Sequence, residues 1–199
     1  MSALAGASHW RYCPQCANGL AFITLDEDGG PKERLRCANC GFTHWNNPTP
    51  VLAAIVECAD RDGRVLLARN AAWPGRRFAL ITGFMEAGES AEQGIAREVT
   101  EETALVVEGT PTLVGVWDFQ RMNQLIVAYH VLARGTVRLS PELVEHKMFA
   151  PQDIVCWPAG TGYALAQWLR SRGIEPRFMD FTPPTAPAEA APHAPRNIE

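Results

Sequence analysis

The stretch GFMEAGESAEQGIAREVTEETAL, residues 83–105, holds three glutamates, Glu98, Glu101 and Glu102, within five positions of a helical pattern. Like charges three or four apart on a helix repel by roughly 0.2–0.5 kcal/mol per pair. At 100° per residue, Glu101 falls about −60° and Glu102 about +40° from Glu98. The carboxylates therefore share one edge, with Ile95 and Val99 forming an apolar stripe beside Glu102 and Arg97 on the opposite flank. Ser90, followed by Gln93, predicts a capped start for a helix over about 90–103. Small residues ahead of it, Gly83 and Gly88, suit a loop whose backbone must approach something closely. Glu89 adds an acid at the helix entrance. Hard divalent cations take oxygen ligands, and binding them would turn the repulsion into the driving force of a site. The competing expectation for the three acids alone is a solvated face.

Working outward, residues 51–58 (VLAAIVEC) and 64–69 (RVLLAR) read as strands joined by the turn DRDG. A short strand is expected within AWPGRRFALITGF, and further strands at TLVGVWDF and QLIVAYHVLA. SPELVEHKMFAPQDI reads as a loop entering a strand. Residues 160–172 read as a helix with Leu165, Trp168 and Leu169 on one face. Toward the N-terminus, Cys13-Pro-Gln-Cys16 and Cys37-Ala-Asn-Cys40 have the spacing of a zinc ribbon, with four thiolates for one Zn²⁺. Cys58 and Cys156 sit in apolar runs and read as small buried hydrophobes. The expected division is a ribbon over 1–46, a catalytic domain over 47–182, and a disordered Pro/Ala-rich tail over 183–199.

With 199 residues, 47% hydrophobic and a net charge of −4, the composition is that of a soluble globular protein. No apolar run is long enough to cross a bilayer, and MSALAGASHWRYC does not read as a secretory signal. A cytoplasmic, reducing location and thiols rather than disulfides are expected. The charge balance argues against broad attraction to nucleic acid or membrane.

Gly83, Glu89, Arg97-Glu98-Val99, Glu101-Glu102 and Leu105 match the pattern G-x5-E-x7-R-E-U-x-E-E-x-G-U, so the chain resembles the Nudix hydrolases. Ala104 stands where that pattern has glycine, at a helix exit that needs a left-handed residue, a departure worth roughly 1 kcal/mol. The resemblance implies an α/β/α sandwich with a mixed sheet, here preceded by a small zinc ribbon. It implies Mg²⁺ or Mn²⁺ held by Glu98, Glu101 and Glu102, with the Gly83 carbonyl and Glu145 as further ligands and Glu142 as the alternative to Glu145. Glu89 and Arg97 would orient the glutamates, and Glu102 or Glu145 would serve as general base. The ribbon-plus-Nudix order is similar to NADH pyrophosphatases and to plant Nudix enzymes that split FAD. By that likeness Trp45 would hold the nucleotide. The proline-rich signature of the NADH enzymes is replaced by GVWDFQRMNQ, which keeps Trp117 and Phe119 as candidate stacking residues. The implied reaction is hydrolysis of the diphosphate of NADH, FAD or ADP-ribose to release a nucleoside monophosphate, with structural Zn²⁺ in the ribbon and a homodimer as the implied assembly. Nucleic acid would enter only as RNA carrying a dinucleotide cap. The alternative is a ribbon that binds nucleic acid or protein, joined to a nucleotide-sensing, non-catalytic Nudix domain.

Overall fold

The computed structural model describes residues 10–73, 75 and 77–180; the expected tail lies outside them. The ribbon is a three-stranded antiparallel sheet of β1 (Leu20–Glu27), β2 (Gly30–Cys37) and β3 (Thr43–His44). Its Asp28-Gly29 turn brings Glu27 opposite Gly30.

The larger sheet is built on β4 (Thr49–Cys58), whose residues from Leu52 onward are buried. Apart from Glu57, which His130 and Arg172 hold at 2.7 and 2.6 Å, that run is apolar because both its faces are covered. Leu52, Ala54 and Val56 turn to one cluster with Ile95, Val99 and Tyr129, while Ala53 and Ile55 turn to another with Leu165, Trp168 and Leu169. β4 runs parallel to β8 (Gln124–Arg134) and antiparallel to β5 (Arg64–Asn70) and β6 (Ile81–Phe84), with β7 (Val106–Phe119) and β9 (Leu143–Phe149) at the edges. Helix α1 (Ala91–Thr103) covers one face and α2 (Thr161–Ser171) the other, giving the α/β/α sandwich with a mixed sheet. β10 (Val155–Cys156) and β11 (Arg177–Phe178) form a small parallel pair beside α2. The DRDG hairpin forms as expected, and β7 begins six residues earlier than TLVGVWDF suggested.

Ribbon and sheet meet at a polar clasp. Asn123, in a left-handed conformation just ahead of β8, donates its side-chain amide to the Asn46 carbonyl at 3.3 Å and to the Asn46 Oδ1 at 3.2 Å. Its carbonyl accepts from the Thr49 N–H at 2.9 Å, so one residue fixes the start of both β4 and β8. Among the described residues no helix is long and apolar enough to cross a membrane.

Candidate functional site

Helix α1 starts on the expected capping box, with Ser90 Oγ accepting from the Gln93 N–H at 3.3 Å and Gln93 Oε1 from the Ser90 N–H at 2.9 Å. It crosses the sheet, with the Tyr129 hydroxyl of β8 donating to Glu92 at 3.1 Å. It ends over the cleft of Asn70, Trp73, Thr82 and Leu143, where Glu102 lies. The helical wheel sets the exposure of the acids. Glu102, next to the apolar stripe, is 7% exposed, whereas the Glu101 side chain on the far flank is 59% exposed.

Glu98 lies between them. Its carboxylate rests directly on the α-carbon of Gly83 in β6, where any β-carbon would collide with it. That contact is the close approach that the glycine permits.

Arg97 organises this edge. It donates to both oxygens of Glu89 (3.1 and 3.0 Å), to Glu98 at 2.8 Å, to Glu101 at 3.1 Å, and to the Phe84 carbonyl at 3.2 Å. Glu89 also accepts the Glu86 N–H at 2.8 Å, and Arg97 with that N–H holds its carboxyl below the usual range. Glu98 is pushed up, chiefly by burial, against the pull of Arg97. Glu102 is pushed up to about 7, first by burial and then by the charges of Glu98, Glu142 and Glu101. Among the described residues no hydrogen-bond donor reaches the Glu102 carboxylate. A buried carboxylate beside two others and without a donor is stabilised by a cation, so Glu98 and Glu102 could hold a divalent ion with Glu101 behind them.

Ala104 takes the left-handed conformation that its position demands (φ 57°, ψ 16°), and its N–H closes on the Thr100 carbonyl at 2.9 Å. The carbonyls of Glu102 and Thr103, left over at the helix end, accept from the N–H groups of Ser140 and Arg138. This docks the segment ahead of β9 against the helix terminus and explains why the charge of Glu142 reaches Glu98 and Glu102. Glu145 lies further along β9, opposite Arg69 and 3.4 Å from its Nε, past a register shift at Arg69/Asn70.

The aromatics divide. Trp117 pairs with Ile126 and, with Phe119, packs on the cluster beneath α2, on the sheet face away from α1. Trp45 is 53% exposed beside the clasp, with the Arg34 guanidinium 5.4 Å from its ring. Trp117 and Phe119 therefore lie on the sheet face away from the glutamates. Trp73 lines the Glu102 cleft and is 42% exposed. It was not singled out from sequence, although a tryptophan in a Pro/Gly loop just ahead of the Nudix pattern was the available signal.

In the ribbon, the four cysteine sulfurs lie within 4.8 Å of one another. Cys13 and Cys40, and Cys16 and Cys37, approach to 3.5 Å. A tetrahedral zinc with Zn–S bonds of about 2.3 Å spaces its sulfurs about 3.8 Å apart, so the donor set fits Zn²⁺. The Asn18 side chain donates to the Cys16 sulfur at 3.4 Å and leads the interactions that lower that thiol to about 6. Cys58 and Cys156 are buried, as expected, and burial pushes both thiols up, Cys156 to about 11.

A loop-helix-loop of acids clamped by an arginine, on a two-helix sandwich with a mixed sheet, defines the Nudix class. The NUDIX domain model matches residues 48–170, and the chain belongs to that family. It is 41% identical over 113 residues to the NAD-capped RNA hydrolase NudC of Mycobacterium tuberculosis, covering 53% of this chain and 34% of that protein. It is 27% identical over 161 residues to the NAD-capped RNA hydrolase NudC of Pseudomonas putida, covering 79% and 54%. The matches thus span about a third to a half of those relatives. A NUDIX hydrolase structure from Nitrosomonas europaea superimposes with a TM-score of 0.68 at 27% identity, covering 85% of this chain and 97% of the other.

Proposed function

We propose that this protein hydrolyses the diphosphate linkage of a dinucleotide, free or as the 5′ cap of an RNA, and releases a nucleoside monophosphate. The observation that carries the reading is the buried Glu102 carboxylate, its proton affinity raised to about 7, beside Glu98 seated on Gly83. When bound at these carboxylates, Mg²⁺ or Mn²⁺ neutralises the diphosphate and acidifies a water.

The chain's own residues do the rest. Arg97 fixes Glu98 and Glu101 and leaves Glu102 unclamped. Glu102 accepts the proton as the water oxygen bonds to phosphorus and the bridging P–O bond breaks. Glu145, or Glu142 in its place, supplies a further carboxylate from the β9 side. Trp73, half-exposed in the cleft that Glu102 lines, offers a ring on which a base can stack. The likeness to NAD-capped RNA hydrolases supports a dinucleotide with an adenosine half, among which NADH, FAD and ADP-ribose are the candidates. In the ribbon, four thiolates leave no open position, so zinc there is structural.

The test is a panel of NADH, NAD, FAD, ADP-ribose and a dinucleotide-capped oligoribonucleotide, each with Mg²⁺ and Mn²⁺, read by product identity. Metal-dependent release of AMP from at least one is expected. Absence of turnover across the panel overturns the proposal.

A further inference from the structure

By composition the basic and acidic residues of the ribbon nearly cancel, but strand alternation separates them. In β2, Lys32, Arg34 and Arg36 occupy alternate positions and share one face, opposite Leu25, Ile23 and Ala21 of β1. Glu33 points to the other face, with Thr24. The one acid placed among the cations is Glu27, at the turn end, and it is used up internally. It accepts both Arg34 Nε and Nη2 at 2.7 Å and lies 3.7 Å from Lys32 Nζ. So anchored, the Arg34 guanidinium lies over the Trp45 ring, which puts that half-exposed ring on the same face. Arg36, at the linker end, has no ion pair among the described residues.

A cation row beside an exposed aromatic is what binds a single-stranded nucleic acid, the cations taking phosphates and the ring taking a base. Its position suits a strand leaving the candidate active site. Trp45 precedes Leu52 by seven residues, and Leu52 pairs with Gly83 beneath Glu98. Seven residues span at most about 25 Å, a distance a few nucleotides cover.

We infer that this face of the ribbon, Lys32, Arg34, Arg36 and Trp45, binds the single-stranded RNA that follows a dinucleotide cap held at the glutamates. The inference rests on the proposed hydrolysis only for the cap; binding of the strand is measurable alone.

The test is fluorescence anisotropy of a labelled, uncapped single-stranded 12-mer RNA over a salt series. The wild type is compared with Lys32→Ala/Arg36→Ala, which spares the Arg34–Glu27 pair, and zinc content serves as the folding control. The wild type should bind, and the variant should lose at least about fivefold in affinity. The log–log salt slope should fall by about 1.4, that is about 0.7 for each phosphate contact removed. For capped RNA the variant should raise KM while KM and kcat for the free dinucleotide stay unchanged. Lack of RNA binding by the wild type, or equal binding by the variant, overturns the inference even if hydrolysis is confirmed. A variant that binds RNA normally but loses self-association assigns the face to a second copy of the chain and overturns it too.

Discussion

The ribbon gathers four thiols and α1 with its entry loop gathers four carboxylates, yet they do so in opposite ways. In the ribbon the thiols come in two tight turns, and all four sulfurs lie within 4.8 Å of one another. At the helix, Arg97 occupies three of the carboxylates and Glu102 is left buried and without a donor among the described residues. The first arrangement is closed and suits a metal that never leaves. The second is clamped on one side by the protein's own cation and leaves one carboxylate unpaired, an arrangement that suits an ion exchanging with substrate. Both regions place a left-handed residue close behind a thiol or carboxylate: Ala17 after Cys16, Gly41 after Cys40, and Ala104 shortly after Glu102.

The largest break in that comparison comes from Cys37→Ser. Zinc content should fall from one per chain to near zero, forfeiting on the order of 10 kcal/mol of metal-linked folding free energy in the ribbon. Solubility should fall with it, while turnover per folded molecule stays within about threefold. A soluble, zinc-free variant with unchanged melting would remove the structural role.

Next is Glu102→Gln, expected to lower kcat by about 10²- to 10⁴-fold at saturating Mn²⁺ without loss of zinc. The same variant sharpens the electrostatic side of the contrast. The folded-state pKa of Glu102, about 7, lies above its ordinary value of 4.5. The folded chain therefore holds that proton more tightly than the unfolded one and loses stability as pH rises from about 4.5 to 7. With zinc retained and Mg²⁺ and Mn²⁺ withheld, the variant should melt like the wild type near pH 4.5. Above pH 7 it should melt about 2–6 °C higher. An equal difference at both pH values would deny the buried charge. The smallest effect is Ala104→Gly, which relieves a left-handed alanine and should add about 1 kcal/mol, or roughly 2–4 °C, with kcat unchanged.

Much of the site was legible because it is local. The helical wheel put Glu102 on the shielded edge, Ser90 and Gln93 marked the cap, and the mismatch at Ala104 located a left-handed residue. What escaped depends on tertiary register. A shift at Arg69/Asn70 decides how Glu142 and Glu145 stand relative to α1, and no alternation pattern in VEHKMF encodes it. Trp117 and Phe119 belong to a strand whose two faces serve different helices, so their side could not be read from proximity to the Nudix pattern. In the ribbon the charges cancel in a count, and only the pairing of β1 with β2 places Glu27 on the face of Lys32 and Arg34.

β4 has three hydrogen-bonded partners, and the farthest in sequence is β8, whose first residue lies beyond the whole glutamate helix. On a ribosome the ribbon can close as soon as residue 44 has emerged, through contacts between near neighbours. β4 then stays unpaired on one edge until Gln124–Arg134 has been made. Topologies that wait on such distant parallel pairing fold slowly and expose apolar edges meanwhile. The order of synthesis therefore lets the ribbon gather its four thiols before the central strand of the larger sheet is protected.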